Sequence, residues 1–302
     1  RQPALAASEF EIVRAEAIAK AEADRSEPMQ LSFVEISRML SPRAVDHPKY
    51  VMTPDEKITA LKQATIGEVQ AFYRDFVGVG AFEPDAIAAM MRKELAGFVP
   101  KKKYARVVDK AFGVAPAQKT VKTPDKANAM FIFAREVAIK DDHADAAALQ
   151  VAVQLLGGDQ TSRLWRRIRE KDGLSYGVGC GLQLDAYDAV GGVFCYGIVA
   201  PKNMAAASKA VVEEMSAVVA GSITQQDLDD TVKSMLGADD LALRDDGALL
   251  YRLTGLAFNG RTLAWDKAQQ AKIKAVTLAD LKRVAATYLA AEAFSNVQVG
   301  DL

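Results

Sequence analysis

Residues 61–77, LKQATIGEVQAFYRDFV, and residues 273–289, IKAVTLADLKRVAATYL, repeat one pattern at an offset of 212 positions. Each opens with a capping box, Thr65-x-x-Glu68 and Thr277-x-x-Asp280, in which a hydroxyl takes an orphan helix amide and the carboxylate reaches back to the cap. Each then sets large apolar side chains on one helical face: Val69, Phe72 and Phe76 match Leu281, Val284 and Tyr288. Two unrelated amphipathic helices can share a face, but a shared cap, lysine and spacing point to a duplicated domain of about 210 residues. Such a unit does not fit twice into 302 residues, so the chain is expected to hold one complete copy and the last part of the copy before it. The division expected is 1–99 for the C-terminal part of a first domain, 100–122 for a linker and 123–302 for a complete second domain.

The linker is placed by Pro100, Lys101-Lys102-Lys103, Pro116 and Pro124, since prolines oppose continuous helix and the lysine triplet reads as solvated chain rather than an anion contact. Val299-Gly300-Asp301-Leu302 follows the second capped helix by ten residues, whereas the similar Val79-Gly80-Ala81-Phe82 follows the first by two. About one strand's length is therefore missing between Val77 and Val79. An omitted segment is preferred to a deleted strand, because losing a strand from a packed sheet exposes core.

Composition narrows the function classes. Half of the residues are apolar, a quarter are charged, and 38 Lys plus Arg against 39 Asp plus Glu leave a net charge of -1, the balance of an ordinary globular protein. There is no basic excess to neutralise phosphates, so nucleic acid is not the expected partner. No stretch approaches the roughly 20 uncharged apolar residues that span a bilayer. The two histidines, His47 and His143, stand 96 positions apart without ligand spacing around either, and no H-x-x-E-H motif can be written. Both read as surface residues.

The N-terminal stretch 10–24 reads as a helix with Phe10, Val13, Ala17 and Ala21 on one stripe, with the frequent charges of a helix rather than of a signal peptide. Beyond the linker come a strand at 128–139, helices at 142–156 and 161–171, strands at 174–185 and 190–200, and helices near 202–220, 225–243, 263–274 and 278–289. The first of these helices is read as closing at Gly157-Gly158. The fold class is α+β, an antiparallel sheet covered by helices. The strand at 174–185 alternates most clearly: Leu174, Tyr176, Val178, Cys180, Leu182 and Leu184 share one parity. Glycines 177, 179 and 181 strip the other parity, which either admits a close neighbour or loosens the strand. A turn at Tyr187-Asp188 sets Cys180 opposite Cys195; a disulfide is open to them in an oxidising compartment, and two buried free thiols are the expected state.

The segment LLGGDQTSRLWRRIREKDGLSYGV, residues 155–178, resembles the second-domain signature of the pitrilysin/insulinase family of zinc peptidases, the inverzincins: L-L-G-G, then S-R-L, a short helix with an Arg, then G-L-x-Y-x-V. The helix near the N-terminus, both capped helices and the closing VQVGDL extend the resemblance over nearly the whole chain. In that family two halves close around a peptide. One supplies H-x-x-E-H and a distal Glu as zinc ligands and general base, and the other an Arg and a Tyr seven residues apart that hold the substrate backbone. The matching positions are Arg169 and Tyr176. The chemistry is sound, since a guanidinium donates directed hydrogen bonds to carbonyls and a phenol can donate to a developing oxyanion. Read without the resemblance, Arg169 belongs to a solvated basic helix with Arg163, Arg166, Arg167 and Lys171, and Tyr176 belongs to the core by its parity.

The departures are as informative. No H-x-x-E-H is present, and the position of the distal Glu falls near Ala19 or Lys20, with Glu22 out of register. The resemblance therefore implies a substrate-binding, non-catalytic C-terminal part of a zinc metalloendopeptidase, with no catalytic residue, metal or cofactor in this chain. Zinc and general base are expected from a catalytic half or partner subunit. The alternative is an assembly or scaffolding protein of the same fold, as some respiratory-complex core subunits are. Bacterial relatives of this build are often periplasmic, which is the compartment the resemblance implies.

Overall fold

Four helices open the chain in the computed structural model, which describes residues 6–76, 89, 90, 92, 93 and 106–302: Ala7–Asp24 (α1), Pro28–Leu40 (α2), Pro54–Gln63 (α3) and Ile66–Phe76 (α4). The lysine triplet, Val79–Phe82 and the proposed gap after Val77 lie outside the described residues, as do the side chains of Phe72 and Phe76. By its contacts the chain divides into Arg1–Arg25 with Met52–Val108, and Ser26–Val51 with Asp109–Leu302.

In the first unit α1 and α3 run along one another, with Ala21 and Ile58 buried. A complete capping box, Thr53 with Glu56, and Pro54 at the first helical position start α3. Of the stripe expected on α1, Phe10, Val13 and Ala17 line an apolar groove of about 380 Å³ with Leu61, Ile66 and Val69.

The second unit is built on five strands: Gln118–Lys122 (β1), Ala129–Val137 (β2), Ser175–Leu184 (β3), Gly191–Val199 (β4) and Ser295–Gly300 (β5). Their order is β1-β5-β2-β4-β3, antiparallel throughout except for the parallel β1–β5 pair. The helices are Ala146–Gly157 (α5), a π-helix at Trp165–Lys171, Met204–Val219 (α6), Gln225–Ala242 (α7), Asp246–Phe258 (α8), Leu263–Lys274 (α9) and Leu278–Tyr288 (α10). Strand β2 shows why its sequence is apolar without a break: Phe131 and Phe133 face the main core with Leu149, Leu156 and Val211, while Ile132 and Ala134 face α2 through Leu31 and Ile36. Among the described residues no helix is long and apolar enough to cross a membrane.

The helices of the two stretches compared in the sequence follow one another in similar lengths. Helices α1 to α4 have 18, 13, 10 and 11 residues; α7 to α10 have 18, 13, 12 and 11. Both caps form as expected, Thr65 with Glu68 and Thr277 with Asp280. The amide and hydroxyl of Thr65 hold the Glu68 carboxyl below its usual range, and the hydroxyl and amide of Thr277 do the same to Asp280.

Two local expectations are corrected and two are made specific. Residues 118–122, in the stretch read as linker, form β1, whose partner β5 runs parallel to it. Cys180 and Cys195 face one another across the hairpin as the turn implies, but they are joined in a disulfide rather than held as free thiols. Helix α5 ends at Gly157 with Gly158 as its cap, and the reason for glycine at 157 is packing: a Cβ there would lie 2.6 Å from the Cys180 sulfur and 2.7 Å from its amide nitrogen, so glycine lets helix and strand touch. The glycines of β3 divide between the two readings: a Cβ on Gly181 would meet the Phe194 ring, one on Gly179 the Tyr196 ring and the Gly157 backbone carbonyl at 3.4 Å, and one on Gly177 nothing within 4 Å.

Candidate functional site

Leu164 and Ile168 are fully buried and fix the segment before β3 to the core. The segment winds as a π-helix, closed by the Asp172 amide donating to the Arg167 carbonyl five residues back, at 3.0 Å. Single π-turns recur where a side chain must be re-aimed. Gly173, at φ +60°, then reverses the chain through the left-handed region that glycine enters without strain. The Asn203 side chain holds the start of the strand by donating to the Leu174 carbonyl at 3.2 Å.

At this point β3 departs from simple alternation. Ser175 pairs with Val199 and Gly177 with Ile198, so Tyr176 has no opposite residue and forms a β-bulge. The Ser175 hydroxyl secures the irregularity, donating to the Ile198 carbonyl at 2.7 Å and accepting from the Gly177 amide at 3.1 Å. The consequence corrects the core reading of Tyr176: its side chain is 77% exposed.

Arg169 stands next to it. Its guanidinium lies 4.6 Å from the centre of the Trp165 ring and donates through Nη1 to the Tyr176 carbonyl. A cation over an indole face gains electrostatically while remaining wet. The neighbouring arginines are engaged otherwise: Arg163 holds Glu214 at 2.9 Å and the Ser222 carbonyl, and Arg167 holds Asp172 at 2.6 Å, which raises the Arg167 pKa. The basic helix is thus not a uniform solvated face. The structure brings Arg169 and Tyr176 together, and among the described residues neither the phenol hydroxyl nor the other guanidinium nitrogens of Arg169 have a hydrogen-bond partner. What results is an exposed pair of directed donors, one cationic and one neutral, suited to carbonyl oxygens.

Sequence reasoning missed Ser175, whose hydroxyl organises the bulge. A signal was present in Gly177, since an isolated strand glycine often marks a bulge.

The donors present do not fit a zinc ion. Among the described residues no three of His, Cys, Asp and Glu converge. The His47 Nδ1 accepts from the Lys49 amide at 3.1 Å with Arg43 3.3 Å from Nε2, His143 accepts from the Asp145 amide at 3.1 Å, and both cysteines are spent in the disulfide.

Known proteins resemble this chain in sequence and in fold. Residues 69–235 match the family described as the peptidase M16 inactive domain. No protein of curated function matches the sequence. Among solved structures, the peptidase M16 inactive domain from Pseudomonas fluorescens is 19% identical, with 99% of this chain and 72% of that chain covered at a TM-score of 0.78. A protease from Helicobacter pylori is 17% identical, with 97% and 72% covered at 0.77. The periplasmic protease PqqL from Escherichia coli is 15% identical, with 97% of this chain and 32% of its own covered at 0.63. At such identities the likeness is one of fold, and function must be argued from the site.

Proposed function

The chain belongs to the peptidase M16 inactive-domain family, and from that premise we propose that it is the substrate-binding, non-catalytic part of a zinc metalloendopeptidase whose zinc and general base come from another half or subunit. The observation that carries the proposal is the bulge at Tyr176. A tyrosine on the apolar parity is turned out into solvent, beside a guanidinium held by Trp165 and the Tyr176 carbonyl. Exposing that ring forgoes on the order of 1.5–3 kcal/mol of burial, a cost with no return in packing. Arg169 binds carbonyl oxygens of an extended peptide, and the Tyr176 hydroxyl donates to the oxygen on which negative charge develops during hydrolysis. In this reading residues 1–99 are the end of a first pitrilysin-like domain and 123–302 the body of a second, joined by 100–122, whose last five residues are the strand β1. The Cys180–Cys195 disulfide supports an oxidising compartment such as the periplasm.

The test is kinetic and uses the intact enzyme. Tyr176→Phe keeps the ring and removes one donor, so turnover falls by about 10- to 1000-fold with little change in peptide affinity. Arg169→Ala raises KM as well, because its hydrogen bonds exist before the transition state. Unchanged kinetics in both variants, with normal folding, would overturn the role of the pair, whereas no peptide cleavage by the intact, correctly folded complex would favour an assembly protein of this fold.

A further inference from the structure

The β3–β4 pair turns Val178, Val193 and Cys195 into the main core, and on its other face the two strands are packed against themselves. Opposite residues of an antiparallel pair share a face, so Gly177, Gly179 and Gly181 stand across from Ile198, Tyr196 and Phe194. Two of the three places are filled. A Cβ on Gly181 would fall 2.4 Å from the Phe194 ring, and one on Gly179 would fall 3.3 Å from the Tyr196 ring and 3.4 Å from the Gly157 carbonyl. The third is open, since a Cβ on Gly177 would meet nothing within 4 Å and Ile198 does not reach across. An isolated strand glycine of this kind marks a place where another group can approach the backbone closely.

The surroundings of this gap decide what fits it. Its floor is the Gly177 backbone, whose amide is already spent on the Ser175 hydroxyl at 3.1 Å. Half-buried Ile198 backs it, and Met130 follows Ile198 on β2. Tyr196, packed with Phe194 beside Ile132 and Ala134, bounds it toward the middle of the strand. At the other end stands Tyr176, which together with Gly177 opposes Ile198 across the bulge. Neither strand carries a charged side chain. The gap is thus a short apolar slot that begins at the candidate site. Tyr176 and Gly177 are consecutive, so their separation along the strand, about 3.3 Å, is also the rise of one residue of an extended peptide. We propose that this slot determines specificity: it takes the side chain of the substrate residue adjacent to the one whose carbonyl Arg169 and Tyr176 hold, and selects a large apolar residue there, aliphatic or aromatic. The inference rests on the peptide-binding reading of that pair and adds which residue the peptide must carry.

The test uses the intact enzyme and one peptide that it cleaves, with each residue flanking the cleaved bond replaced in turn by Gly, Leu, Phe and Asp. At one position Leu or Phe is expected to exceed Gly in kcat/KM by about 10- to 200-fold, the range by which small changes in apolar bulk are discriminated in such pockets. Gly177→Ala and Gly177→Val place one and three carbon atoms in the slot, and should lower that ratio stepwise at that position alone. The methyl of Gly177→Ala enters empty space, so this variant reports on the slot even if the valine disturbs the strand. Gly237→Val, at an equally open glycine of α7, should leave the ratio as it is. A preference for Asp at that position, or a Gly177 series that changes kcat/KM equally for every peptide or for none, overturns the slot. Tyr176→Phe tells this failure from that of the pair. If it lowers turnover while the Gly177 series leaves selectivity unchanged, the pair stands and the slot falls; if it has no effect, the reading falls and the slot with it.

Discussion

The β3–β4 hairpin contains two regions built on the same pair of strands to opposite ends. From Val178 to Leu184 every residue has an opposite number, Cys180 is bonded to Cys195, the Phe194 and Tyr196 rings lie over glycines, and Gly157 touches Cys180. Two residues before Val178 the pairing breaks at Tyr176, a Cβ on Gly177 would meet nothing within 4 Å, and the largest side chain of the strand stands in solvent. The difference teaches that one strand can divide its labour along its length, the middle holding the fold and the end presenting donors.

Substitutions that separate stability from turnover can break this comparison. The largest stability effect is expected in the middle: replacing both Cys180 and Cys195 by alanine should cost about 2–4 kcal/mol in urea unfolding under oxidising conditions. Gly157→Ala comes next, at about 1–3 kcal/mol, since its methyl would press on the Cys180 backbone, which cannot rotate away. Neither change should lower turnover of the folded enzyme by more than a few-fold. The smallest effect belongs to the end, where Tyr176→Ala should shift stability by about 0.5 kcal/mol or less. If Tyr176→Ala destabilises as much as Gly157→Ala, the two regions are one packed unit and the division is wrong.

Most of the second unit was legible in the sequence because its elements carry strong periods. The alternation of β3, the apolar run of β2 and the capped stripe of α10 survive any tertiary context. The helices that escaped had no such stripe. Helix α8 is apolar nearly all round, and α2 presents its buried residues to a sheet that its own sequence says nothing about. Strand β1, QKTVK, is mostly exposed and has the composition of a linker; only its pairing with β5 makes it a strand. At the candidate site the seven-residue spacing of Arg169 and Tyr176 was visible, but the direction of Tyr176 was not. A period-two argument assumes an unbroken ladder, and one inserted residue reverses its conclusion. The cysteines failed differently: their opposition followed from the turn, while oxidation is a matter of compartment and geometry, which residue counting does not address.

The disulfide has a consequence for how the strand finds its place. Among the described strands β3 lies at the margin of the sheet, so one long side of it offers unpaired amides and carbonyls to any passing chain. With glycine at 177, 179 and 181 one parity of β3 offers no side chain to set the alignment on β4, and the other parity sets it. A slip by one residue would turn Leu182 and Leu184 from the core and bring Gln183 toward it. Once sulfur is joined to sulfur that slip is closed to the folded chain, and a sticky border that could seed association becomes committed to a single partner.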